Sequence, residues 1–127
     1  MIEASPLISP EALAARLGEA NLRIADVRWY LEEPDRGRQE YERGHIPGAI
    51  FVGLDHDLAA ASGAGRHPLP TPAHLAKRLG VLGFGSDDFV VAYDDVLGTV
   101  AARLWWMLDN LGHRRPTVAR PRVPARG

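Results

Sequence analysis

The sequence predicts an α/β fold, a parallel sheet in three layers, on three observations. Short apolar runs that read as strands recur near Leu7, Leu22, Ala49 and Phe89, with a brief further candidate at Thr117-Val118-Ala119. Helical stretches with start signals lie between them, at Ser9-Pro10 and Thr71-Pro72, where a capping hydroxyl precedes a proline. The regular alternation of the two patterns is that of crossover units, which set neighbouring strands parallel.

Each element has its own warrant. After Ser9-Pro10, Leu13 and Leu17 mark a helix ending near Gly18. Leu22 to Arg28 is a strand with Leu22, Ile24 and Val27 apolar, ending in Asp26-Val27-Arg28. A charged loop from Glu32 to Gln39 leads to one helical turn at Glu40–Arg43, stopped by Gly44. Pro47-Gly48 suits the central positions of a type II turn, where glycine accepts the positive φ. Thr71-Pro72 opens a helix carrying Leu75 and Leu79, with Gly80 as its stop. In the last helix Val100, Leu104, Met107, Leu108 and Leu111 share one face.

Composition narrows the function classes. The chain has 127 residues, enough for one domain, and a net charge of −1, which predicts neither nucleic-acid nor membrane partners. It has no cysteine, which excludes disulfides, thiolate metal sites and every cysteine-nucleophile mechanism. The N-terminus shows no basic region followed by an apolar run, and no stretch approaches the ~20 apolar residues of a membrane span. The expected location is therefore the cytoplasm.

The loop Asp94–Thr99, between the Phe89 strand and the last helix, lies where open α/β sheets bind ligands. It opens with Asp94 and Asp95, so an incoming anion would meet repulsion, and it lacks a glycine-rich phosphate motif. No nucleophile is evident in it. His45 reads as a turn anchor rather than a ligand, and His56 beside Asp55 and Asp57 is too loose a cluster to predict a metal. Trp105 and Trp106 project about 100° apart on their helix, so one is expected in the core and one outside. Arg28 and Arg103 are read as surface arginines or as salt-bridge candidates toward another domain. From Arg114 to Gly127, five arginines and three prolines in fourteen residues predict a largely disordered tail, so the domain is expected to span 1–113 and the tail 114–127. A basic arm for an acidic partner is the other reading of that tail.

Asp26-Val27-Arg28, then Tyr41-Glu42-Arg43-Gly44-His45-Ile46-Pro47-Gly48-Ala49, then the Tyr93-Asp94 strand end, resemble a rhodanese domain. Arg66-His67-Pro68-Leu69-Pro70 and Ala102-Arg103-Leu104-Trp105-Trp106 are similar to the N-terminal, non-catalytic domain of tandem thiosulfate or 3-mercaptopyruvate sulfurtransferases, with the match running from about Leu7 to His113. The resemblance implies a rhodanese-like fold and sulfane sulfur transfer through a cysteine persulfide, with no cofactor. It places the cysteine at the head of the strand-to-helix loop, where this chain has Asp94. It therefore implies no catalytic residue here and a partner, a Cys-bearing catalytic rhodanese domain. Asp26, Arg28, Gly44, His45, Pro47 and Gly48 become the structural motif. Asp55 and His67 become candidates for supporting substrate activation, and Arg103, Trp105 and Trp106 an interdomain surface. The last strand and helix are expected to be missing or incomplete after about residue 113, as in a frameshifted or truncated product. A loop this neutral or anionic is not expected to activate a thiol placed at position 94. Two alternatives stay open: a Cys-free rhodanese module that binds another protein, and a truncated product without function.

Overall fold

The computed structural model of the chain describes residues 7–59, 70–85, 88–95, 98–111 and, for the backbone alone, 116–119. In order these form β1 (Leu7–Ile8), α1 (Pro10–Arg16), β2 (Leu22–Asp26), α2 (Arg36–Arg43), β3 (Ile50–Phe51), α3 (Pro72–Leu82), β4 (Phe89–Tyr93), α4 (Thr99–Asn110) and β5 (Pro116–Ala119). The strands make one sheet in the order β1-β5-β4-β2-β3, with every pairing parallel.

Alternation along β4 sorts the layers. Val90 and Ala92 pack with Leu75 and Leu79 of α3 and with Val100, Leu104 and Leu108 of α4. Phe89 and Val91 pack on the other face with Leu13 of α1 and, at its margin, Tyr41 of α2. Both faces are therefore covered, which is why β4 is apolar throughout. Val91 and Leu104 are fully buried, and each such side chain contributes roughly 1.5–3 kcal/mol of transfer free energy.

Capping follows the sequence. The Ser9 and Thr71 hydroxyls accept from the amides of Ala12 and His74, and prolines occupy the first turns of α1 and α3. Two helices differ from expectation. α3 passes through Gly80 and ends at Leu82, because Gly83, at φ +107°, supplies the left-handed cap. α2 begins at Arg36 rather than Glu40. Its first turn lies against the β2 loop at Gly37, where a Cβ would come within 2.3 Å of the Arg28 carbonyl oxygen.

The central slot of the sheet, expected from the sequence to be empty or incompletely filled, is held by the four residues of β5. β5 pairs β1 through Leu7↔Val118 and β4 through Val91↔Thr117, so the sheet extends past the boundary suggested at residue 113. Pro116 opens the strand, the position where a missing amide disturbs a ladder least.

Removing residues 114–127 would leave the facing edges of β1 and β4 without backbone partners. A chain ending at residue 113 is expected to lose the cooperative transition of the full chain in circular-dichroism melts. An equally sharp melt would show that β5 is dispensable.

Candidate functional site

In a parallel sheet all strands end on one edge, and here Asp26, Phe51 and Tyr93 share that edge as register partners. Asp26 is fully buried. Its carboxylate accepts from the Arg28 amide at 3.1 Å, from the Arg28 guanidinium at 2.7 and 3.1 Å, and from the Tyr93 hydroxyl at 2.8 Å. Arg28 also donates to the Gly44 carbonyl at 2.7 Å, and the Ile46 amide donates to the Tyr93 hydroxyl. The bond to Asp26 raises the Arg28 pKa against the lowering effect of burial. Burial, ahead of the bond to Asp26, raises that of Tyr93. Arg28 is thus neither a solvated surface arginine nor a group reserved for another domain, and that expectation is corrected.

The turn after Gly44 is built on these anchors. The Ala49 amide donates to the Ile46 carbonyl at 2.9 Å across Pro47-Gly48, and Gly48 has φ +82°. His45 stacks on Tyr41 at 3.8 Å, with Nδ1 2.7 Å from the Tyr41 carbonyl oxygen. The Tyr41 hydroxyl donates to the Ala49 carbonyl at 2.6 Å.

The loop after β4 is organised by its first carboxylate. The amides of Gly98, Val100 and Ala101 all donate to the Asp94 carboxylate, each at 2.8 Å. Gly98, at φ +85°, turns the backbone so that the first amides of α4 face Asp94. The loop is therefore an amide cradle at a helix N-terminus, and Asp94 is the anion that fills it. With Asp94 bound there, a further incoming anion meets its charge and finds the amides taken.

Further bonds tie this edge together. The Trp29 indole donates to Asp55 Oδ2 at 3.1 Å, and the Tyr30 hydroxyl to Asp95. Burial and Asp95 push the Tyr30 hydroxyl up to about 12. Asp57, buried, accepts from the Gly53 amide and from Arg78 of α3. Arg103 donates to the Leu58 carbonyl at 2.9 Å, and burial lowers its pKa. Trp105 packs against the core, whereas Trp106 is 49% exposed. His67 lies outside the described residues. Among the described residues no three His, Cys, Asp or Glu side chains group as metal ligands, and no helix is long and apolar enough to cross a membrane.

Sequence reasoning missed Trp29 and Tyr30, and it missed the bonds that Tyr93 makes to Asp26 and that Asp57 makes to Arg78. Only Tyr93 carried a signal, as a polar-tipped aromatic at the end of an apolar strand.

With this geometry in place, the comparisons with known proteins identify the family. The model of the rhodanese-like domain matches residues 9–119, and the chain belongs to that family. It is 46% identical over 116 residues to a Pseudomonas aeruginosa protein named "Probable 3-mercaptopyruvate sulfurtransferase", covering 89% of this chain and 41% of that protein. It is 42% identical over 113 residues to the thiosulfate sulfurtransferase of Gallus gallus, covering 87% and 38%. Among solved structures it superimposes on the 3-mercaptopyruvate sulfurtransferase of Leishmania major with a TM-score of 0.80 at 32% identity, over 92% of this chain and 32% of that one. The chain thus spans about two fifths of the length of the curated relatives it matches.

Asp26→Asn keeps the shape but discharges the buried partner of Arg28, and breaking such a pair costs about 3–5 kcal/mol. Urea denaturation is expected to show a loss in that range; a loss near zero would mean that the network does not hold the edge. Asp94→Cys places a thiol among amide donors, which favour the thiolate. Its pKa, read from alkylation rate against pH, is expected below the ordinary cysteine value of about 8.5, and a value at or above it would restore the reading from sequence.

Proposed function

We propose that this chain acts as the Cys-free, N-terminal half of a thiosulfate/3-mercaptopyruvate-type sulfurtransferase, inactive alone and working with a Cys-bearing rhodanese domain. The observation that carries this reading is Asp94 in its amide cradle. Sulfane sulfur transfer in the family needs a thiolate that attacks the sulfur and later leaves it. A carboxylate does neither. The cradle that would hold a reacting anion here holds a permanent one, which suits a half that is structurally settled and chemically silent.

On this reading the partner brings the cysteine, and this half brings a surface and supporting groups. Asp55, positioned by Trp29, and His67 are the candidates for supporting substrate activation. Trp106, exposed on α4, is the candidate contact with the partner domain, and Arg103 and Trp105 flank it from the half-buried side of the same helix. A bond from Asp55 to a histidine would fix the tautomer of the imidazole, as a carboxylate does for a catalytic base.

The test is complementation with a separately produced Cys-bearing rhodanese domain of a tandem relative, read by thiocyanate formation from thiosulfate and cyanide. This chain alone is expected to form none above background. Added to the catalytic domain it is expected to bind and raise turnover, with Trp106→Ala weakening binding about tenfold or more. Turnover by this chain alone, or a mixture without association, would overturn the proposal. Association without any change in turnover would favour the second reading, a binding module, for which exposed Trp106 is the supporting observation.

A further inference from the structure

A cavity of about 170 Å³ opens at the same sheet edge, between the β2 loop, the start of α2 and the loop after β3. Its volume lies below the few hundred Å³ of sites for drug-sized ligands. Trp29, Phe51 and Leu54 give it apolar walls.

Its charges fall into two sets. Arg28 and Arg78 are neutralised from within the fold, by buried Asp26 and buried Asp57. Asp55 is held by the Trp29 indole. The indole is neutral, so Asp55 keeps its charge; of the other lining groups, which include His56, Arg38 and Asp35 are of opposite sign. Arg38 stacks its guanidinium over the Phe51 ring at 4.8 Å and has no carboxylate partner among the described residues. Asp35, at the start of α2, makes no side-chain capping bond. Although only three positions apart, the two make no ion pair with each other.

We propose that this cavity binds a small zwitterion, an α-amino acid with a short side chain, its carboxylate on Arg38 and its ammonium on Asp35. Arg38 and Asp35, of opposite sign and not paired with each other, match a ligand that carries both charges. The apolar walls take the ligand's side chain, and their size limits it to a small one. The site uses neither Asp94 nor a thiol, so it stands independently of the sulfur-transfer reading.

The experiment titrates L-alanine into the nitrogen-15-labelled full chain and follows the Trp29 indole and Gly37 amide resonances, both from residues that line the cavity. L-lactate, which lacks the ammonium, and isopropylamine, which lacks the carboxylate, are the controls. Alanine is expected to shift these resonances saturably in the millimolar range, and each control to bind about tenfold more weakly or worse. Arg38→Gln and Asp35→Asn, both at exposed positions, are each expected to weaken alanine by a similar factor while the rest of the spectrum stays unchanged. Lactate binding as well as alanine would overturn the proposal in favour of a plain carboxylate site. Failure of alanine to produce saturable shifts, or alanine binding that survives both substitutions, would also overturn it.

Discussion

A carboxylate with no exposed surface sits at the end of β2, and the arrangement of the functional edge depends on how Asp26 is satisfied. Burying an ion costs several kcal/mol unless the surrounding groups return that energy. Here they do so from three directions: the adjoining backbone amide, a guanidinium that binds both oxygens, and a hydroxyl from the neighbouring strand. Each donor is itself engaged further out. Arg28 holds the Gly44 carbonyl, and Tyr93 receives the Ile46 amide. One buried charge therefore fixes the relative positions of β2, β4 and the turn entering β3. The loops that follow those strands inherit their placement from it.

Asp94 solves a different problem with the same functional group. It lies one residue past β4 and satisfies donors that a helix start leaves unpaired. Asp26 organises side chains around an ion, whereas Asp94 organises backbone. Replacing Asp94 by a smaller neutral group would leave oriented amides facing an unfilled space. That is why the position suits an anion, whether a carboxylate or a thiolate, and why a carboxylate there is structurally sufficient without being reactive. On the proposed reading, the half-domain keeps the shape of a reactive loop and has lost the reacting atom.

Much of the scaffold was legible because its signals are local. Ser9-Pro10 and Thr71-Pro72 announce helix starts through one hydroxyl and one fixed φ, and Pro47-Gly48 announces its turn in the same way. The faces of α4 follow from a period of 3.6. What was not legible depends on approach between distant segments. α2 starts early because Gly37 allows it to lie against the Arg28 carbonyl, a contact no residue of α2 announces. β5 was legible only as a brief candidate at Thr117-Val118-Ala119 inside what reads as a solvated tail; the slot between β1 and β4, with backbone partners on both sides, is what makes it a central strand. The sequence shows the charges of Asp94 and Asp95 but not the direction of the amides around them. It therefore suggested repulsion of an incoming anion, but not the cradle that Asp94 itself fills. Charge can be read from residues, whereas the field of a helix start depends on how the backbone turns at Gly98.

The bonds across the edge bear on what the loops can do. Trp29 reaches Asp55, Tyr30 reaches Asp95, Arg103 reaches the Leu58 carbonyl, and Arg78 reaches Asp57. Each joins a loop after one strand to a different element, so moving one loop breaks bonds in its neighbour. A loop that closes over substrate during turnover needs an alternative arrangement of similar energy, and this web of mutual bonds disfavours one. An edge held in a single geometry is better suited to presenting groups to something that binds it. Both proposals require that of it: Asp55 held ready to support substrate activation, and a small zwitterion meeting Arg38 and Asp35. In each case affinity comes from charges and rings already in place, and little ordering cost remains at the moment of binding.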